Sequence, residues 1–238
     1  MESTTTLASA KQALKTRYDQ YHFTELQIGL DPSNPKHYLP TIRVGEKVLD
    51  IGCGAGQTLI AACPYRRPGE GGLCVSCSRT DCPTWGYGID IDQDALRLGE
   101  AWTQRMVLQA ASAEQLPYPD HEFDVVTSRV TLIYVDMQRA VAEIRRVLRP
   151  GGRIWLVLHS FGMVLNQLSH RNWKGVLYQG YVALNGLVFH VALHPFRLAG
   201  GVEYWQTASA MKRILVKQGF QDIQVERKGL VLIVSAHL

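Results

Sequence analysis

The feature that most constrains this chain is the stretch Lys47-Val48-Leu49-Asp50-Ile51-Gly52-Cys53-Gly54-Ala55-Gly56-Gln57-Thr58. Val48 to Ile51 is a short apolar run, as a buried parallel strand requires, and three alternate glycines follow it at once. Gly52, Gly54 and Gly56 carry no Cβ, so the backbone there can take positive φ, turn sharply and come close to a ligand. Helical sequence, Gln57-Thr58-Leu59-Ile60-Ala61-Ala62, follows directly. The glycines therefore sit at a strand-to-helix turn, with Asp50 just inside the carboxyl end of the strand. The spacing is not that of the dinucleotide fingerprint, whose third glycine comes two residues later, and this argues against a nicotinamide dehydrogenase.

The rest of the chain reads as strand–helix units. Tyr87-Gly88-Ile89-Asp90 is the second strand; Asp92 or Asp94 caps the helix Ala95 to Gln104 that follows. Met106 to Ala110 is the third strand, and Phe123 to Ser128, apolar and β-branched until a polar stop, is the fourth. Asp136 caps a helix with apolar positions at Met137, Val141, Ile144 and Leu148, stopped by Arg149-Pro150-Gly151-Gly152. Arg153 to His159 is the fifth strand. Thr207 to Gln218 is an amphipathic helix ended by Gly219, and Phe220–Glu226 and Leu230–Ala236 form a hairpin over Arg227-Lys228-Gly229. A further helix is expected from Ser9 through Tyr21, with Leu14, Tyr18 and Tyr21 near one face. Asp31-Pro32-Ser33-Asn34-Pro35 is a loop.

Three of these segments carry a resemblance. Val48-Leu49-Asp50-Ile51-Gly52-Cys53-Gly54-Ala55-Gly56 resembles the first motif of class I S-adenosylmethionine-dependent methyltransferases. Ala111-Ser112-Ala113-Glu114-Gln115-Leu116-Pro117-Tyr118-Pro119-Asp120 is similar to that family's adenine-lining Asp-Ala-Glu-x-Leu-Pro-x-x-Asp segment, with Ser112 where an Asp is usual. Ala142 to Gly152 is also typical of it, and the likeness spans roughly residues 45–62 and 86–160. It implies an α/β, Rossmann-like, doubly wound seven-stranded sheet, mostly parallel, with one antiparallel strand in a C-terminal hairpin. It also implies S-adenosylmethionine outside the carboxyl ends of the strands, where strand order reverses. By the same resemblance the cofactor residues are Asp50, Gly52, Cys53, Gly54, Gly56, Asp90, Ile91, Ser112, Ala113, Glu114 and Ser128. Asp90 supplies the bidentate acceptor that two ribose hydroxyls need, Ile91 lies against the adenine, and an N-terminal helix brings Tyr18, Tyr21 and His22 over the site.

Two stretches exceed what strand–helix units require, within what is expected to be a single domain over 1–238. The first, 63–85, holds Cys63, Cys74, Cys77 and Cys82. Four thiolates would close a tetrahedral zinc site and fold a segment with little apolar material. An iron–sulfur cluster uses the same ligands, and unliganded or redox-active thiols, or a disulfide, are the remaining readings. The second, 160–205, is rich in aromatics and histidines and stands where the family builds a substrate lid. It suits a small organic acceptor. If that acceptor is a hydroxyl or an acidic carbon, it needs a base; His159, His170 and Tyr134 are the candidates.

Charge and composition limit the alternatives. With a formal charge of +4, 19% charged residues and no basic run, the chain lacks the stripe expected of a nucleic-acid enzyme. Ser128-Arg129-Val130-Thr131 stands where an exocyclic-amine methylase carries Asn/Asp-Pro-Pro-Tyr. An RNA methyltransferase is thus the lesser reading, beside a non-catalytic cofactor-binding module with a metal- or redox-sensing insertion. No basic n-region precedes an apolar core at the start, and Val176 to Leu193 is too polar for a membrane span. A cytoplasmic location, a small-molecule substrate and no membrane span are therefore expected. Oligomeric state is not legible.

Overall fold

Residues 16–65, 85–102, 105–168, 173–198 and 201–238 are described by the structure, a computed structural model. Its strands form one seven-stranded sheet in the order β3-β2-β1-β4-β5-β7-β6. They are β1 (Val48–Ile51), β2 (Gly86–Asp90), β3 (Met106–Ala110), β4 (Phe123–Arg129), β5 (Leu148–His159), β6 (Gln221–Lys228) and β7 (Val231–His237). β1, β2 and β3 pair in parallel, as do β4 and β5, whereas β7 runs antiparallel to both β5 and β6. This is the doubly wound sheet with a single reversed strand that the sequence implied. The chain divides into two compact units, Met1–Ser112 and Ala113–Leu238.

The first unit is built on β1, every residue of which is buried. Helix α1 (Arg17–Leu30) starts at Thr16, whose hydroxyl accepts from the Asp19 amide while the Asp19 carboxylate accepts from the Thr16 amide. That reciprocal cap satisfies two helix-end donors. The helix continues past Tyr21, where the sequence reading ended it, because Phe23 and Leu26 on its next turns are core residues. They pack with Ile60 of α2 (Gln57–Ala61) and with Leu98 and Trp102 of α3 (Gln93–Trp102). Residues 1–15, including the expected helix start and Leu14, lie outside the described residues.

In the second unit, α4 (Met137–Val147) is capped by Asp136, whose carboxylate accepts from the Gln138 and Arg139 amides. It buries Met137, Ala140, Val141, Ile144 and Val147, a single face at helical spacing. The helices α5 (Phe161–Leu168) and α6 (Trp173–Ala192) fall in the 160–205 stretch, and α7 (Ala208–Lys217) precedes the hairpin. β6 pairs only with β7, and its charged sequence, Gln-Asp-Ile-Gln-Val-Glu-Arg-Lys, suits a strand at the edge of a sheet. Among the described residues no helix is long and apolar enough to cross a membrane.

Candidate functional site

The glycine turn is held from two sides. Gly52, Gly54 and Gly56 all take positive φ, at 71°, 54° and 76°. The amides of Gly52 and Cys53 donate to the Ile89 carbonyl at 2.8 and 2.9 Å, and the Gly54 amide donates to Asp90 Oδ2 at 2.8 Å. Asp90 Oδ1 accepts from the Asp92 amide at 3.0 Å. Each carboxylate oxygen has two lone pairs, so Asp90 fixes the turn and keeps acceptor capacity for a ligand's hydroxyl groups. The turn also needs glycine at Gly88 on β2, where a Cβ would lie 2.6 Å from the Cys53 sulfur.

From the other side His22 of α1 covers the turn. Its ring is buried, and a Cβ on Gly54 would come within 3.1 Å of it. Nδ1 shares a 2.6 Å hydrogen bond with the Gln57 amide nitrogen, which requires that Nδ1 be the acceptor. Nε2 is buried with no hydrogen-bond partner among the described residues. Burial lowers the His22 pKa, opposed by the nearby Asp92 and Asp90. The Tyr18 hydroxyl bonds the Asp92 carboxylate, and Tyr18 and Tyr21 stand edge-on to the His22 ring. The His22–Gln57 pair was not separable from core packing in the sequence; only the fold brings residues 35 positions apart together.

The other predicted cofactor residues fall as follows. Asp50 is buried at the end of β1, and its charge, after burial itself, helps push the buried Cys53 thiol far up, so this cysteine stays protonated. Ile91 is 81% exposed just past β2, an apolar side chain open to a planar ligand. Ser112 ends the first unit and is exposed. In the second unit Ala113 and Ser128 are buried. Glu114 accepts from the Asp136 amide at 3.0 Å and pairs with Arg197 at 3.0 Å and Arg139 at 3.4 Å, so its carboxylate braces the start of α4. Arg146 does the same for the segment before β4: it donates to the Leu116 and Tyr118 carbonyls and pairs with Asp120 and Glu143.

Of the proposed bases, His159 ends β5 and lines a narrow cavity of about 10 Å³ with Val164, Gln179, Glu203, Tyr204 and Trp205. Burial drives its pKa down to about 4, so the ring is neutral near pH 7 and a weaker base than a free imidazole. Tyr134 lies on the short 3-10 turn Leu132–Tyr134 and is half exposed. Between β4 and that turn Val130 holds φ 64°, a strained conformation for a β-branched residue. His170 lies outside the described residues. Gln179 and Glu203 line the cavity without any motif in the sequence to mark them. A second cavity, of about 400 Å³, is lined by Phe161, Leu165, Trp205, Gln206, Arg227 and Leu232.

The cysteine expectation is corrected in part. Cys63 is disulfide-bonded, so its sulfur is not the free thiolate that a zinc or iron–sulfur ligand must be. Cys74, Cys77 and Cys82 lie outside the described residues. Among the described residues no group of three or more His, Cys, Asp or Glu could hold a metal.

Comparison with known proteins agrees with this geometry. Residues 49–156 match a family described as "Methyltransferase domain". An uncharacterized methyltransferase, YcgJ of Bacillus subtilis, is 32% identical over 123 residues, which is 49% of this chain and 42% of that protein. The ubiquinone/menaquinone biosynthesis C-methyltransferase UbiE of Pseudomonas putida is 29% identical over 187 residues, covering 78% of this chain and 69% of that one. The chain thus spans about two fifths of the length of YcgJ and most of the length of UbiE. The crystal structure of YcgJ superposes with a TM-score of 0.53 over 90% of this chain and 97% of that one, at 17% identity, a likeness of fold. Residues 49–156, which carry the glycine turn, Asp90 and β4, are thus similar to a methyltransferase domain.

Proposed function

We propose that the chain transfers a methyl group from S-adenosylmethionine to a small organic acceptor. The observation that carries this reading is the Asp90 carboxylate, anchored by the Gly54 and Asp92 amides at the end of β2, beside a turn of three positive-φ glycines. These groups fit the cofactor: a fixed carboxylate suits paired ribose hydroxyls, exposed Ile91 suits a purine face, and His22 narrows the turn. When bound, the cofactor supplies an activated methyl on a good leaving group, so orientation and exclusion of water account for most of the acceleration asked of the protein.

The chain's own residues have three tasks. Asp90, Gly54 and His22 hold and orient the cofactor. The buried, neutral His159 accepts a proton where the acceptor needs activation. Helices α5 and α6, with Tyr204 beneath them, exclude water. A cavity the size of one water admits no acceptor as it stands, so entry requires α5 and α6 to part. Both cavities of the second unit have largely apolar and aromatic walls, with Arg227 as the single Arg or Lys among the residues that line them. That favours an organic acceptor over a phosphate backbone, which calls for several cations. UbiE's name, a C-methyltransferase of ubiquinone/menaquinone biosynthesis, makes a carbon acceptor the first class to try.

The test is incubation with methyl-labelled cofactor and a fractionated cell extract. Label in the small-molecule fraction supports the reading. Label in RNA would replace the acceptor class and keep the cofactor site, and binding without label in any fraction would favour a non-catalytic module.

A further inference from the structure

Helix α6 is turned inside out. Its buried side carries Gln179 and Asn185, both almost fully buried, beside Val182 and Phe189. Asn185 donates to the Phe196 and Glu203 carbonyls and accepts from the Phe196 amide, while Gln179 donates to Gln167. The outward side carries Val176, Leu177, Leu184, Leu187 and Val191, each between 46% and 68% exposed. A surface helix normally shows the reverse distribution. Leaving that much contiguous apolar surface in water is costly, and such patches mark interaction sites.

The spacing of the exposed residues says what kind of surface covers them. Leu177, Gly180, Leu184, Leu187 and Val191 are separated by three, four, three and four residues. That is the seam along which one helix packs against another, extending about 21 Å at the usual rise per residue. The seam is close to symmetric about Leu184. An antiparallel copy sets Leu184 against Leu184, Leu177 against Val191, and the turn bearing Leu187 against Gly180. At Gly180 a Cβ would meet nothing within 4 Å, which leaves a notch open for the incoming leucine. Lys174, three residues before the seam, is the only formally charged residue of the helix, so self-association brings no like charges together on it. An anionic membrane surface, by contrast, would call for several flanking cations.

We infer that α6 is an isologous dimer interface, packing antiparallel against α6 of a second copy of this chain about a two-fold axis at Leu184. Because the inner face of the same helix supplies Gln179 and Val182 to the cavity beside His159, pairing would also restrain the lid.

Sedimentation of the full chain at concentrations up to about 100 μM tests this, since a useful dimer forms well below that. The expected result is a species of twice the 26.6 kDa chain mass. Leu184→Lys, at an exposed position, should convert it to a monomer that still unfolds cooperatively, with a melting temperature no longer dependent on protein concentration. A bismaleimide cross-linker then reports the direction of packing. Leu184→Cys alone should cross-link above the wild-type background, and Leu177→Cys mixed with Val191→Cys should cross-link far more than either by itself. A wild-type chain that stays monomeric, or a dimer that Leu184→Lys leaves intact, overturns the proposal. So does a monomer that floats with vesicles of anionic phospholipid unless Leu184 is Lys, which would assign the face to lipid. Cross-linking of Leu177→Cys alone in preference to the mixture would overturn the antiparallel arrangement.

Discussion

At the scale of single residues, the proposed function rests on one carboxylate and two histidines. Asp90 bonds two backbone amides and is the carboxylate we propose for ribose hydroxyls. Asp90→Asn keeps one acceptor oxygen but loses the charge, and hydrogen bonds to charged groups contribute about 1.5–3 kcal/mol. Cofactor affinity measured by calorimetry should fall roughly ten- to a hundredfold. His159 makes a prediction with a defined sign. Its folded pKa, about 4, lies below the unfolded value of about 6.5, so the folded state disfavours the charged ring. Between those values the unfolded chain binds the extra proton, and stability rises with pH. The contribution is complete above about pH 6.5 and is lost as pH falls towards 4. His159→Gln should therefore show a shallower fall in melting temperature than wild type over that window, on the order of 2 kcal/mol less. The same variant should lower turnover while leaving cofactor affinity unchanged. A turnover equal to wild type would leave alignment alone as the source of rate.

At the scale of elements, side chains from one segment hold the backbone of another. Arg146 of α4 makes hydrogen bonds to Leu116, Tyr118, Asp120 and Glu143, and these partners hold its guanidinium firmly protonated. Glu143 in turn accepts from the Leu116 amide at 2.8 Å and has its pKa lowered, chiefly by Arg146. Arg146→Met leaves Glu143 without its cation in a half-buried place. The expected cost is about 1–3 kcal/mol, or roughly 3–9 °C in melting temperature for a chain of this size. In α6, Gly186 permits the indole of Trp205 to lie against the helix: a Cβ there would stand 2.1 Å from Trp205 Nε1. That nitrogen donates to the Ala183 carbonyl at 3.0 Å. Gly186→Ala should expel the ring, shifting Trp fluorescence to the red and costing about 1–3 kcal/mol despite alanine's better helix propensity.

For the whole molecule, the seven-stranded order places β7 between β5 and β6, so the last residues of the described chain are interior to the sheet. Val234 and Ala236 of β7 are buried accordingly. The cysteines are also a property of the whole chain. Cys63 is bonded and Cys53 is a free, buried thiol. With Cys63 bonded, fewer than the five thiols of the sequence should titrate in the denatured, unreduced protein. Five titratable thiols together with about one zinc per chain would instead restore the four-thiolate site.

Much of this was written in the sequence because the evidence for it is local. A strand, three glycines and a helix in immediate succession fix the turn through allowed φ and through burial of Val48 to Ile51, whatever surrounds them. Asp90 follows in the same way from its place at a strand end, and the hairpin from two strand-length runs joined by Arg227-Lys228-Gly229. Other features depend on residues far apart in the chain and had no local signature. Thr16 and the core positions Phe23 and Leu26 carried α1 beyond Tyr21. His22 reached Gln57, and Arg146 gathered a segment nearly thirty residues away. The orientation of α6 shows the limit most clearly. Its sequence is apolar nearly all round, so periodicity could not say which side faces the protein. Hydrogen bonds to Asn185 and Gln179 decided that, because a buried amide must be satisfied and a leucine need not be.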